Sequence, residues 1–570
     1  MVELEPRGND LSPSEAKIVE NPAVLWCVKA LLLALLAVLI VSIVVLSCVP
    51  PVSKDALTHH LAVPKLYLRH GGIYEIPSMI FSYYPMNLDL LYMIPLYFGS
   101  DIVPKFVHFS FALLTAWLIF NYLKRRINVI YAILGVIFFL SVPIIVKLSI
   151  TVYVDLGLIF FSTASLLFVL RWIENGFPLK YLMLSAFFCG LAAGTKYNGL
   201  VTVFLLTLFV PLLYSRYRGG GKPGFYKAAG SGMLFLFVAL LFFSPWMIRD
   251  YFWTNNPIFP LYDQWFNPQY CSAQKSANLF IFRSSMYHES WWEMALLPIR
   301  IFFQGQDGNP QYFDGKLNPF LLLLPLFAFY RMGKEPEVLR NEKKIILVFA
   351  VLYFCFAFFS SDMRVRYVSP IIPPLVILGV FGVRKMFQGL GETSVSRTVQ
   401  HIGMGIVFSA LFFSLWLNAV YIFNQYREID PFSFMRGKLS RDEYIDKYRL
   451  EYPAMRYINE NLPHDARILF IYIGNRGYYC DREYIFDMRR NRSTLRQLVK
   501  GSSDAETIFL GLKGMGITHL LIRYRIFDKW VKTHFTAKDR VVMKAFFEKY
   551  VRLLFFKWGY GLSVLEDQSS

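Results

Sequence analysis

Charge is what this chain has least of. Asp, Glu, Lys and Arg make up only 17% of its 570 residues, against 55% hydrophobic residues. An ordinary globular protein carries about a quarter charged residues. A soluble fold with this deficit would expose large apolar patches, so the shortage excludes one and calls for lipid. Its six cysteines include no Cys-x-x-Cys spacing. That excludes a zinc signature and a disulfide framework, and leaves Cys271–Cys480 as a pairing open only to an oxidising compartment. No Gly-x-Gly-x-x-Gly follows the strand-like segments of the C-terminal part, and no Walker sequence occurs, so a nucleotide fingerprint is missing. No internal repeat is found, which weighs against a repeat-built transporter or flippase. The first apolar run, Ala23 to Val49, lacks a small-x-small cleavage site. It also exceeds the ~7–15 residues of a signal core and reads as an anchor.

What is abundant fits the same picture. Aromatics reach 18%, as expected where Trp and Tyr line two bilayer interfaces. The net charge of +19 comes from 59 basic and 40 acidic residues, many of the basic ones in short loops between apolar runs. There they set orientation and meet anionic lipid, which argues against nucleic acid as a partner. A span needs about 20 apolar residues. Spans are expected near 24–49, 104–123, 128–147, 154–172, 180–195, 198–214, 228–247, 317–331, 344–360, 367–386 and 401–423. The fold class predicted is a polytopic α-helical membrane protein of about 11–13 transmembrane helices with a small C-terminal α/β soluble domain.

Segment 84–99 is apolar but brief and holds Asp89 and two prolines. Reading it as a non-spanning helix puts every basic loop on the side of the N-terminus, which the positive-inside rule makes cytoplasmic. The domains expected are a cytoplasmic stretch 1–23, a membrane domain 24–424 with outer loops 50–103 and 248–316, and an extracytoplasmic α/β domain 425–570. In that last part Pro453–Asn461, Asp504–Lys513 and Val541–Tyr550 read as helices, and Arg467–Ile473, Thr518–Ile522 and Arg552–Phe556 as strands. Basic loops and an uncleaved anchor fit a bacterial inner membrane.

Ionisable residues near a bilayer are costly and often functional. Asp55 follows the first span by a few residues. On a helix starting there, His59 shares its face at i+4 and His60 is slightly rotated, while Lys65 and Arg69 form a second i,i+4 pair. Leu57, Leu61 and Leu68 can then lie on lipid. Asp155 opens a later span between apolar neighbours and should face the protein interior. Lys196 sits in a Gly-flanked turn, Arg249 ends a span, and Arg366 precedes one. Asp55 with His59 is a candidate metal pair, which leaves a divalent metal open as cofactor. Glu289, in Tyr287-His288-Glu289-Ser290-Trp291-Trp292, is a candidate acceptor contact in an aromatic interfacial stretch.

An Asp just beyond the first span, interfacial helices in the first loop and an Asp opening a later span resemble the GT-C superfamily. These are membrane glycosyltransferases that use polyprenyl-phosphate-linked sugars. The chain is similar to bacterial relatives of protein O-mannosyltransferases and of the lipid A aminoarabinose transferase. Gly190 to Gly199, Ser244 to Tyr251, Asn255 to Pro260 and Arg366 to Pro370 support the likeness. The resemblance implies hexosyl or pentosyl transfer with inversion, from a polyprenyl-phosphate-linked donor to a glycan, lipid or protein acceptor. Asp55 is the candidate general base, because the acceptor hydroxyl must lose a proton as it attacks. Asp155 is the second catalytic candidate. The leaving lipid phosphate needs cations, and Lys65, Arg69, Lys196, Arg249 and Arg366 are the ones available; His60 and Tyr84 are the other candidate substrate contacts. The chain departs from its relatives in two places. Ser82-Tyr83-Tyr84-Pro85 lacks the acidic-Lys pair of the aminoarabinose enzymes, and Asp55-Ala56 replaces the Asp-Glu pair of the protein mannosyltransferases. A lipid-linked glycan ligase or polymerase and a polytopic transporter or flippase are the competing functions.

Overall fold

The computed structural model describes residues 22–218, 222–268, 279–359, 363–391, 396–489 and 492–567. Cys271 lies outside them, and Cys480 is a buried free thiol. Seven helices are long and apolar enough to cross a membrane: Pro22–Ser47, Val103–Arg126, Asp155–Glu174, Gly199–Arg218, Gly224–Thr254, Ser369–Leu390 and Arg397–Ile429. The chain is a multi-pass membrane protein. The expected span 180–195 appears as the shorter apolar helix Leu179–Thr195, 317–331 as Phe320–Phe327, and 344–360 as the end of Glu337–Phe359.

The expected span 128–147 is broken. It is two helices, Val129–Ser141 and Pro143–Ser149, bent by 68°. Pro143 has no N–H to continue the ladder, and its ring drives Val142 to an extended ψ of 128°. The bend turns Lys147 toward one end of the bundle, where it meets Asp307 and Asp314. Segment 84–99 forms the helix Asn87–Tyr97. Its 11 residues reach about 16 Å at 1.5 Å each, about half the hydrocarbon thickness.

Small residues let the bundle close. A Cβ on Gly382 would sit 2.0 Å from the Leu324 carbonyl oxygen, and one on Gly190 2.4 Å from that of Ala239. Backbone at these distances cannot move aside as a side chain can, so glycine sets the approach of each helix pair.

The C-terminal unit is a five-stranded sheet of order β2-β1-β5-β7-β6. The strands are β1 Arg467–Ile471, β2 Glu483–Phe486, β5 His519–Arg523, β6 Val551–Lys557 and β7 Tyr560–Leu565; two-residue strands β3 Met488–Arg489 and β4 Arg492–Ser493 pair separately. β2, β1 and β5 run parallel, and β7 is antiparallel to β5. Trp558 and Gly559, both at positive φ, make the two-residue turn between β6 and β7 that favours right-handed strand twist. Strand alternation divides the core. Leu469, Ile471, Leu520 and Ile522 pack under Thr494–Gly501, Ala505–Gly514 and Ala537–Tyr550. Ile468, Phe470 and Leu521 face the other way, into a cluster continuous with the bundle.

Gly382→Ala should lower the melting temperature in detergent, because the added methyl meets backbone. Overpacking of this kind costs about 1–3 kcal/mol. Gly230→Ala, in a helix where a Cβ meets nothing within 4 Å, should be neutral or stabilising by up to about 1 kcal/mol.

Candidate active site

The first loop begins with a π-type turn, Ala56–His60, followed by the helix Ala62–His70. The wider turn carries Asp55 toward Arg366, and the two form an ion pair. Arg366 sits in a 3-10 turn, Val365–Tyr367, just ahead of the span that begins at Ser369. Its guanidinium lies 5.3 Å from the ring centres of Tyr153 and Tyr367. Burial opposes its charge, but the carboxylates of Asp55 and Asp155 more than offset this and hold its pKa well above the usual value. Burial likewise pushes Asp55 up. The Arg366 guanidinium outweighs it, and the carboxyl is held well below the usual carboxylate range.

Asp155 begins its span, 1% exposed, and accepts a hydrogen bond from Lys196 Nζ at 2.6 Å. Among the described residues its second oxygen, Oδ2, has no hydrogen-bond partner. The Lys196 turn is compact because Gly199 allows it: a Cβ there would lie 2.3 Å from the Ala192 carbonyl. Lys196 also stands 4.9 Å from the Tyr367 ring, so Asp55, Arg366, Asp155 and Lys196 form one linked constellation.

His60 Nδ1 lies 2.7 Å from Asp89 Oδ1. Burial lowers the His60 pKa to about 3 and raises that of Asp89 to about 7, shifts that both favour an uncharged pair. His59 stacks on Phe81 at 4.6 Å, and among the described residues its Nδ1 has no hydrogen-bond partner. Among the described residues no three His, Cys, Asp or Glu side chains converge as a metal would need. Asp55 is engaged by Arg366 rather than by His59, so the residues present do not fit the expected metal pair.

Three other expected contacts have different partners. Lys65 and Arg69 both bind Asp481 of the C-terminal unit, at 2.8 and 2.6 Å, and Lys65 also donates to the Tyr478 carbonyl at 2.6 Å. Arg249 donates to Asp250 and to the carbonyls of Tyr83 and Tyr84, and stacks between Trp246 and Trp253. It therefore fixes the backbone of the Tyr84 loop, while the Tyr84 ring lies 5.3 Å from Tyr197. Leu57 and Leu61 do not lie on lipid: they are 2% and 0% exposed. The Leu57 carbonyl accepts from the Tyr478 N–H, so the C-terminal unit covers this loop. Glu289 is likewise buried, between Arg283 and Arg300, although Trp291 and Trp292 beside it are exposed.

A cavity of 530 Å³ opens beside the constellation. Asp55, Arg366, Tyr153, Lys147, Arg364, Asp307 and Asp314 line it, together with Leu46, Val49 and Ile150 near the end of the first span. Its walls carry six Lys or Arg side chains and four carboxylates, a net excess of two positive charges. Lys147 and Arg364 are within 3.4 Å of Asp307 or Asp314, so part of that charge is neutralised.

Sequence reasoning missed His108. Its Nδ1 lies 2.9 and 3.0 Å from the Leu148 and Thr151 carbonyls, and its Nε2 accepts from the Leu156 N–H at 3.0 Å. It holds the turn that aims Asp155. An imidazole inside an apolar span was the available signal.

The chain resembles known proteins in architecture more than in sequence. The ArnT structure from Cupriavidus metallidurans bound to undecaprenyl phosphate aligns over 94% of this chain and 98% of its own, with TM-score 0.54 and 14% identity. The apo form gives 0.55 and 13%, over 95% and 98%. The fold is that of these ArnT structures. The archaeal oligosaccharyltransferase AglB from Archaeoglobus fulgidus, in complex with an inhibitory peptide and a dolichol-phosphate, aligns at 0.50 and 10% over 94% of this chain and 74% of AglB. The dolichyl-phosphate-mannose-protein mannosyltransferase family matches residues 98–248, less than half of the chain. No curated protein sequence matches it. The matched residues include Lys147, Asp155 and Lys196, but neither Asp55 nor Arg366.

Lys196→Met should destabilise the protein by about 3–5 kcal/mol, because it leaves Asp155 buried and unpaired. Adding Asp155→Asn should recover much of the loss, read as the detergent melting temperature. Asp481 titrates in the opposite regime, at the surface. Burial raises its pKa, but Lys65 and Arg69 outweigh this and leave it lowered. The tether is therefore complete above the ordinary carboxylate pKa of about 3.9 and is lost as pH falls through the lower folded value. Amide exchange over 62–70 should stay slow from pH 7 to 5, and Asp481→Asn should raise it across that range.

Proposed function

We propose that this protein transfers a sugar from a polyprenyl-phosphate carrier to an acceptor hydroxyl on the outer face of the membrane, with inversion at the anomeric carbon. The observation that carries this reading is the Asp55–Arg366 pair at the wall of a net-positive cavity reached from the apolar end of the first span. ArnT and AglB were solved with undecaprenyl phosphate and dolichol-phosphate respectively, two carriers of this chemical class.

The roles follow from charge. The donor phosphate enters the basic cavity. There it competes with Asp55 for Arg366. A phosphate that takes the guanidinium withdraws the charge that holds Asp55 below the usual carboxylate range, and its own negative charge raises that carboxyl further. Donor binding thus makes Asp55 a better base at the moment one is needed. The acceptor oxygen bonds to the anomeric carbon, the anomeric carbon–oxygen bond to phosphate breaks, and the acceptor proton passes to Asp55. The bond electrons leave with polyprenyl phosphate, whose charge Arg366 receives. Lys196 keeps Asp155 ionised and His108 keeps it aimed. The unpartnered Asp155 Oδ2 is free to accept a hydrogen bond from the sugar or acceptor. Lys65 and Arg69 act as the seat of the C-terminal unit, which leaves Arg366 with Lys147 and Arg364 as the phosphate-facing cations.

Purified protein in nanodiscs, given a panel of polyprenyl-phosphate sugars and a lipid-rich acceptor extract, should release free polyprenyl phosphate. Asp55→Asn should lower that release by about 10²–10⁴-fold, the range for loss of a general base. Arg366→Gln should also abolish most release and weaken donor binding, whereas Asp55→Asn should leave donor binding intact or tighter. Equal release by wild type and Asp55→Asn would remove Asp55 from the chemistry. No release from any donor would count against the transfer itself.

A further inference from the structure

A second cavity, of 720 Å³, lies in the C-terminal unit and shares no residue with the one beside Asp55. It opens at the carboxyl ends of parallel strands. Tyr472 directly follows β1, and Met488 stands two residues beyond β2. In open α/β sheets ligands bind outside this edge of the strands.

The lining is chemically divided. One wall is aromatic: Tyr472 and Trp530 meet with ring centres 5.5 Å apart at 66°. Trp530 is only 9% exposed and is wedged against Phe535 at 4.8 Å, so this wall is rigid. The facing wall is the helix Thr494–Gly501, which brings Arg496, Gln497 and Lys500 to the cavity. Arg496 and Lys500 are four apart and share a helix face, where like charges repel. Among the described residues no carboxylate lines the cavity and neither cation is found in an ion pair. Lys500 does lie within electrostatic reach of Asp539, whose carboxylate is already engaged by the Thr536 cap. His534 completes the rim.

Two cations without an acid, an amide and an imidazole opposite a rigid aromatic wall suit a ligand with hydroxyls, a flat apolar ring face and a negative charge. Sugar C–H faces pack on aromatic rings, and Arg and Lys bind carboxylate or phosphate. We propose that this cleft binds an anionic saccharide, a sugar bearing a carboxylate or a phosphate, at a site separate from the transfer site. The site stands on its own lining and does not require the transfer reaction.

The test is binding to the full-length protein in zwitterionic nanodiscs, by calorimetric titration. The probes are trigalacturonate and galactose 6-phosphate, with maltotriose and inorganic phosphate as controls. At least one anionic saccharide should bind more tightly than both controls, and more weakly as salt rises. The double variant Arg496→Gln/Lys500→Gln should weaken it about tenfold or more, as expected for loss of charge-assisted contacts. Gly501→Leu supplies an uncharged check. Gly501 lines the cleft and a Cβ on it meets nothing within 4 Å, so the larger side chain fills space without disturbing the core. It should block binding with the melting temperature unchanged. The proposal is overturned if neither anionic saccharide binds, if either control binds as tightly, or if both variants bind like wild type.

Discussion

Arg366 and the carboxylates around it set the shape of this end of the molecule. A guanidinium with a side chain only 12% exposed is tolerable there because Asp55 is bonded to it and Asp155 is near enough to add its field. Asp155, in turn, is almost wholly buried and needs Lys196. Three separate stretches, the loop after the first span, the turn before Asp155 and the 3-10 turn before the span at Ser369, are therefore pinned to one another by charge. Under the function proposed above, a donor phosphate redistributes this pairing and frees the carboxylate proposed to accept the proton.

The same economy of charge joins the C-terminal unit to the bundle. Asp481 sits on Lys65 and Arg69, Arg441 binds Asp101, and the Tyr479 hydroxyl donates to the Pro51 carbonyl. Exposed pairs such as those of Asp481 are individually weak. Their importance is positional, because the loop they seat is the one that carries Asp55. The sheet face that merges with the bundle core gives that seat an apolar backing. The site is thus built by the two parts of the chain together.

Much of this could be read directly from residue order. Apolar runs located the seven long apolar helices; of the other four expected spans one is bent, two are shorter helices and one is the end of Glu337–Phe359. Alternation found β1, β5 and β6, and the helices Ala505–Gly514 and Ala537–Tyr550 were found while Thr494–Gly501 and Tyr524–His534 were not. β2 and β7 were missed: Glu483–Phe486 is too short for a pattern, and Tyr560–Leu565 contains Gly561 and Ser563. Pro143 could have warned of the bent span, since the broken ladder is a local effect. Asp55 and Asp155 were visible because a carboxylate at the edge of an apolar run must be satisfied by something.

What that something is could not be read. Lys65 and Arg69 looked like phosphate ligands because they are two cations on one face, yet their partner lies more than 400 residues away. Glu289 looked available and is buried between two arginines. Arg249 looked like a ligand and is a clamp. Local sequence by itself determined the membrane-spanning architecture, the α/β character of the C-terminal part and the two carboxylates at the bundle end, because each depends on hydrophobic periodicity or on charge beside an apolar run. Only the tertiary structure decided which cation meets which carboxylate, because a buried charge is paired by proximity in space, and packing brings together residues whose separation along the chain carries no signal.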